Sequence, residues 1–252
     1  MVHLSQGSRG AMLNARSRDV LNLGSKCLIV FATVILANGC SAGSTEDAYI
    51  EAARVLHQNA LTIDAHIEIP GNYATREVDP GTDNDFQADL PKLRAGQLEA
   101  IFLVVDPSRS VSDAEDTVSM QAATIRGLEA INRLAEEMHP NEVEIGYSVD
   151  DIERIVESGK LSVSIGIENG LVLGQEIAHL QKYFDYGCRY MALPHEIHSE
   201  PTDIGMFAGE KFDEEGLAPL GQRIIGEMNR LGMVVDISHL SRTAMLEAVG
   251  LS

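Results

Sequence analysis

The chain has 252 residues, 44% of them hydrophobic and 23% charged, enough apolar material for one large domain or two small ones. Its formal net charge is −19, and the part beyond position 40 is more acidic still: four of the 19 basic residues (Arg9, Arg16, Arg18, Lys26) and one of the 38 acidic ones (Asp19) come earlier, leaving 15 against 37. A surface of that sign repels nucleic acid and anionic lipid headgroups, so the composition argues against nucleic acid as a partner.

In chain order, the first feature is the uncharged run "CLIVFATVILANGC", residues 27 to 40, behind a basic stretch. It has the make-up of a secretory signal core and is short for a spanning helix. Its end, "ILANGC", resembles a bacterial lipobox, which implies lipidation of Cys40 at the start of the mature protein; Ala37 stands where that motif prefers Leu, Val or Ile. An ordinary cleaved signal or an uncleaved anchor is the alternative. The reading is therefore a signal peptide over 1–40 and a catalytic-type domain over 41–252, exported and held at the cell envelope or in the periplasm through a lipid anchor. Two cysteines then remain, Cys40 and Cys188, and no disulfide framework is expected. Cys188, at the start of an apolar run, reads as a lone buried thiol.

From residue 45 the pattern alternates. "EDAYIEAARVLHQNA" has helical spacing and "LTIDAH" is a short β-like run. A Gly/Pro/Asp-rich loop (71–84) leads to the strand "EAIFLVV", and a long helix, "DTVSMQAATIRGLEAINRLAEEM", follows. Next come "VEIGYS" as a third strand, "VDDIERIVES" as a helix, "LSVSIGI" as a fourth strand and "GQEIAHLQKYFDYG" as a helix. "CRYMAL" is a fifth strand, "LGQRIIGEMNRLG" a helix closed by Gly232, and "MVVDIS" a sixth strand. Continuous apolar strands alternating with helices predict a parallel sheet covered on both faces. No G-x-G-x-x-G follows a strand, which disfavours a dinucleotide-binding sheet. The fold class expected is an α/β (β/α)8 TIM-type barrel, here shortened to about six β/α units, with its site at the C-terminal ends of the strands.

Those ends carry the ionisable residues. The first strand delivers His66 and Glu68 in "DAHIE", the fourth Glu168 in "IGIENG", the fifth His195 and His198 in "LPHEIH", and the sixth His239 in "ISHLS". Imidazole and carboxylate suit zinc and similar cations. His66 and Glu68, two apart on an extended chain, point the same way, and a carboxylate such as Glu168 can bridge two cations. Each also has a plainer explanation. His66 and Glu68 could be a solvated strand end, Glu168 a charge at a helix N-terminus, and His239 part of the capping region before "RTAMLEAV", with Ser241 as cap. His57, His139 and His179, in or beside helices, read as structural.

"TIDAHIEIP", "DLPKLRAGQLEAIFLVV", "SIGIENG", "CRYMALPHEIH" and "GLAPLGQRIIGEMNRLGMVVDISHLS" together resemble the membrane (renal-type) dipeptidases, binuclear zinc metallopeptidases with an amidohydrolase-like barrel. The resemblance covers about residues 46 to 252. It implies a dipeptide substrate, two Zn2+ ions in a complete site and hydrolysis by metal-bound hydroxide. By it, His66 and Glu68 bind the first metal, Glu168 bridges, His239 binds the second, and His195 contacts substrate and stabilises the tetrahedral intermediate. Family members often form homodimers.

The departures are Glu68 where the family has Asp, Pro194 where it usually has Thr, and an end at Ser252. The last comes before a further metal histidine and the residues that bind the substrate's carboxylate and amine. A barrel two strands short predicts open edges on the first and sixth strands, association or poor solubility, and weak activity. A non-catalytic remnant that binds metal or a partner is therefore the alternative function. Another barrel hydrolase, a deaminase or lactonase, is the third.

Overall fold

The computed structural model describes residues 45–107, 117–174, 176–193 and 216–252. Two units divide the chain, Met1–Leu56 and His57–Ser252. Of the first, the described part is the start of the helix Thr45–Gln58, which opens with Glu46 and Asp47 where the helix dipole favours negative charge.

Among the described residues, the second unit contains a parallel sheet of six strands: β1 (Ile63–Glu68), β2 (Ala100–Val105), β3 (Val143–Ile145), β4 (Leu161–Ile167), β5 (Cys188–Ala192) and β6 (Val234–Asp236). Five form a continuous path, β1-β2-β4-β5-β6, and the three-residue β3 joins only the first half of β4. Six parallel strands alternating with helices agree with the barrel-type α/β fold expected. The difference lies in β3, which is a side strand rather than a stave of the curved sheet. β1 and β6 lie at the two ends of the path, and Ile63 and Val234 on them are exposed.

The strands in the middle, β2 and β4, are buried and carry no charge because both faces are covered, and β4 admits only the small hydroxyls of Ser162 and Ser164 among its apolar residues. Val163, Ile165 and Ile167 of β4 are fully buried, as are Ile101, Leu103 and Val104 of β2. Helices close the outer face through Leu128 and Ile131 of Thr117–Arg133, Ile155 of Val149–Glu157, Leu180 and Tyr183 of Ala178–Asp185, and Ile224, Ile225 and Met228 of Pro219–Leu231. Helix ends follow local chemistry. Ser148 accepts the Asp151 N–H at 3.1 Å, with Asp150 and Asp151 in the first turn. Pro219 opens the last-but-one helix, and Gly232, at φ 76°, closes it by turning left-handed and returning its N–H to Met228 and Asn229. The long helix predicted over 116–138 is α-helical over Thr117–Arg133 and continues as one π-helical turn, Leu134–Met138.

Two irregularities shape the sheet near its C-terminal end. Between Asp64 and Ile67 the register against β2 slips, so Ala65 and His66 together face Phe102. Between β4 and β5 the partners run Ile165↔Cys188 and then Gly166↔Tyr190, with Arg189 as the extra residue. Bulges of this sort re-aim side chains; one contains His66 and the other falls just before Tyr190.

Cys188 is fully buried, and its S–H donates to the Tyr190 carbonyl at 3.0 Å. Burial pushes that thiol up to about 12, as expected of a structural cysteine. The helix-associated histidines are likewise occupied. His57 Nε2 lies 3.1 Å from the Gly96 carbonyl, His139 sits between Asp79 and Glu142, and His179 contacts Gln121 and the Leu173 carbonyl.

Candidate metal centre

Glu168 follows directly on β4. Its N–H donates to the Val105 carbonyl at 3.0 Å, which continues the β2–β4 pairing one residue further. The chain then reverses: Asn169 takes φ 78° and caps the 3-10 turn Gly170–Leu173 with its side-chain oxygen, 3.2 Å from the Leu171 N–H. The reversal leaves the Glu168 carboxylate at the strand end, 2% exposed. An ionised carboxylate so deeply placed needs hydrogen bonds or positive charge around it.

Two imidazoles approach it from opposite ends of the sheet. His66 Nε2 is 3.2 Å from Glu168 Oε2, and His239 Nε2 is 3.3 Å from Glu168 Oε1. One carboxylate thus has a histidine at each oxygen, one brought by the β1 end and the other by the segment after β6. Glu68 completes the first of these groups, because ligand atoms of His66, Glu68 and Glu168 all lie within 4.8 Å of one another. The longer carboxylate at position 68 therefore still reaches the cluster.

Both histidines are held by their own segments. Asp64 accepts the His66 backbone N–H at 3.0 Å, and Asp236 accepts the Ser238 N–H at 2.7 Å. His239 itself takes φ 65°, a left-handed conformation uncommon outside glycine, which turns the chain between β6 and the helix that follows. Ser241 then caps the helix Arg242–Leu251 by accepting the Ala244 N–H at 3.0 Å. The capping role read for this segment is real, and it coexists with His239 facing Glu168.

The site also contains residues that the sequence did not single out. Tyr190, on β5 and 7% exposed, places its hydroxyl 3.0 Å from His66 Nδ1 and donates it to Asp236 Oδ2. Burial and the bond to Asp236 push the phenol far above its ordinary range. Burial by itself would raise the Asp236 carboxyl, but bonds from Tyr190 and Ser238 outweigh it and hold the group below the usual carboxylate range. An aspartate beside a strand-end histidine was the available signal; Tyr190 lay hidden in an apolar strand. His195, His198, Pro194 and Cys40 lie outside the described residues.

Residues 50–252 match the family model described as membrane dipeptidase, peptidase family M19. The chain belongs to the membrane dipeptidase family. Among curated relatives, it is 30% identical over 177 residues to dipeptidase tcpJ of Claviceps purpurea, covering 69% of this chain and 41% of that protein. It is 32% identical over 167 residues to dipeptidase aclJ of Aspergillus oryzae, covering 64% of this chain and 39% of the relative. The solved structure of the probable dipeptidase PvdM from Pseudomonas aeruginosa superposes with a TM-score of 0.68 at 23% identity, over 80% of this chain and 52% of that one. That likeness shows the shared fold. The chain spans about two fifths of the length of these curated dipeptidases.

Family membership agrees with the donor set. Imidazole nitrogens and carboxylate oxygens gathered at one strand end are the ligands that zinc takes in metallopeptidase sites. His66, Glu68 and Glu168 are grouped closely enough to hold one metal ion, and His239 stands at the other oxygen of Glu168. Among the described residues no helix is long and apolar enough to cross a membrane.

Proposed function

We propose that this chain contributes to hydrolysis of dipeptides at a binuclear zinc site. In this reading His66 and Glu68 hold one ion, Glu168 bridges, and His239 holds the other. The observation that carries it is the carboxylate of Glu168 between two imidazoles, at 3.2 and 3.3 Å. Bound zinc supplies Lewis acidity toward the peptide carbonyl and lowers the pKa of water.

The chain's own residues do the rest. Burial of Glu168 keeps bulk water from its carboxylate, which strengthens every charge interaction there. The reversed backbone at Asn169 and His239 aims side chains from two separate segments at one point. His195, three residues beyond the end of β5, is assigned to contact substrate and to donate toward the oxyanion. Residues 27–40 support export, with a lipid on Cys40 as membrane anchor.

The test is amino-acid release from a panel of unmodified dipeptides by the purified chain. Turnover that appears with zinc, vanishes with a chelator and is absent in Glu168→Gln supports the proposal. A chain that binds zinc but hydrolyses a lactone or deaminates a base while cutting no dipeptide is another barrel hydrolase. One that binds zinc and turns over nothing is a metal-binding protein only.

A further inference from the structure

We infer that Tyr190 and Asp236 are positioning residues that fix the tautomer of His66 and join its arm of the site to the arm of His239. The inference rests on the metal-binding reading of His66 and assigns a role to two residues that touch no reacting atom.

The direction of hydrogens along the chain of contacts decides the matter. Tyr190 gives its hydroxyl hydrogen to Asp236 Oδ2. A phenol has one hydrogen to give, so toward His66 its oxygen accepts, and the ring atom 3.0 Å away, Nδ1, carries the hydrogen. A neutral imidazole with hydrogen on Nδ1 presents a lone pair at Nε2. Nε2 is the nitrogen aimed at Glu168, 3.2 Å from its carboxylate. The arrangement therefore sets the nitrogen facing the carboxylates in the form that ligates a cation.

The seat of Tyr190 is built for this. Its ring packs against Phe102, with centroids 5.7 Å apart, and meets His66 edge-on at 6.1 Å. Opposite it stands Gly166, where a Cβ would come within 2.4 Å of the tyrosine ring; any side chain at 166 displaces the phenol. Asp236 is fixed from its other oxygen by the Ser238 N–H, one residue before His239. Through these contacts β5 carries a link from the β1 end to the β6 end, so that the two histidines hold a common frame around Glu168. Outer partners of this kind alter metal affinity by about 10–100-fold when removed.

The experiment reads the tautomer and the affinity separately. Long-range 15N imidazole spectra of the metal-free chain, recorded at a pH high enough to keep the ring neutral and with the His66 signals identified by their loss in His66→Gln, are expected to show hydrogen on Nδ1; hydrogen on Nε2 overturns the inference without any variant having to fold. Tyr190→Phe is expected to give a mixture of tautomers and to weaken zinc binding by about 10–100-fold against a competing chelator. Asp236→Asn, which keeps an oxygen for the phenol, is expected to lose less. Unchanged tautomer and affinity in Tyr190→Phe overturn the inference. Wild-type chain with the Nδ1 hydrogen but no zinc binding would instead overturn the metal reading on which it rests.

Discussion

The two ends of the sheet treat their carboxylates differently. At the end where β3 and β4 begin, Glu144 meets Arg154 at 2.6 Å and Lys160 at 2.8 Å, and Glu142 pairs with Arg94. These are partly exposed ion pairs in which permanent cations answer the charge within the chain. At the opposite end, the buried Glu168 meets the imidazoles of His66 and His239, and Asp236 meets the phenol of Tyr190. Imidazole can remain neutral, and as a neutral ring it ligates metal. The first end is self-sufficient electrostatically, whereas the second offers donors that a divalent cation can satisfy.

The largest expected effect separates the ends directly. Glu168→Gln is expected to weaken zinc binding by more than about 100-fold, because it removes a donor shared by both histidine arms. Equilibrium dialysis with metal analysis measures it, and Glu144→Gln is the matched control, expected to bind zinc as wild type does. Equal losses in both variants would abolish the distinction.

Next in size is the interior on which both ends depend. Leu128 is fully buried in the core, and Leu128→Ala is expected to cost about 2–5 kcal/mol in a denaturant titration. Removing the cap of the helix after His239 is a smaller change. Ser241→Ala is expected to cost about 0.5–2 kcal/mol and to lower zinc affinity along with stability, since the cap lies two residues from the histidine. A loss of stability with affinity unchanged would show that the cap does not position His239.

The smallest effect belongs to the ion-paired end. Bonds from Lys160 and Arg154 hold the Glu144 carboxyl below its ordinary value. A lowered carboxylate pKa stabilises the fold fully above the unfolded value and loses that contribution as pH falls through the folded one. Glu144→Gln is therefore expected to cost at most about 1 kcal/mol at pH 7, reduced by solvent screening. The gap to wild type should close as the pH is taken down below the usual glutamate range. A cost independent of pH would mean that the side chain acts through packing.

Much of this was legible in the sequence where apolar periodicity and strand ends coincide. "LSVSIGI" forms β4 over the expected residues, because a central strand covered on both faces favours apolar and small uncharged residues without polar alternation. His66, Glu68, Glu168 and His239 were each visible as ionisable residues just past an apolar run. What stayed hidden depends on spatial neighbours. "VEIGYS" reads as a strand, yet only three residues pair, along half of β4, and no local pattern reveals which neighbour a strand takes. The bulges at His66 and before Tyr190 are single-residue insertions that leave composition unchanged. Tyr190 sits in an apolar run as a core residue would, and its role depends on partners 124 and 46 positions away.

The most direct test is an anomalous difference map at the zinc edge from crystals of the chain grown with zinc. The account predicts density beside the Glu168 carboxylate, within bonding distance of His66 Nε2 and Glu68, with a second peak toward His239 as the second site fills. Zinc found only elsewhere on the acidic surface, with Glu168 still in direct contact with both imidazoles, would contradict it.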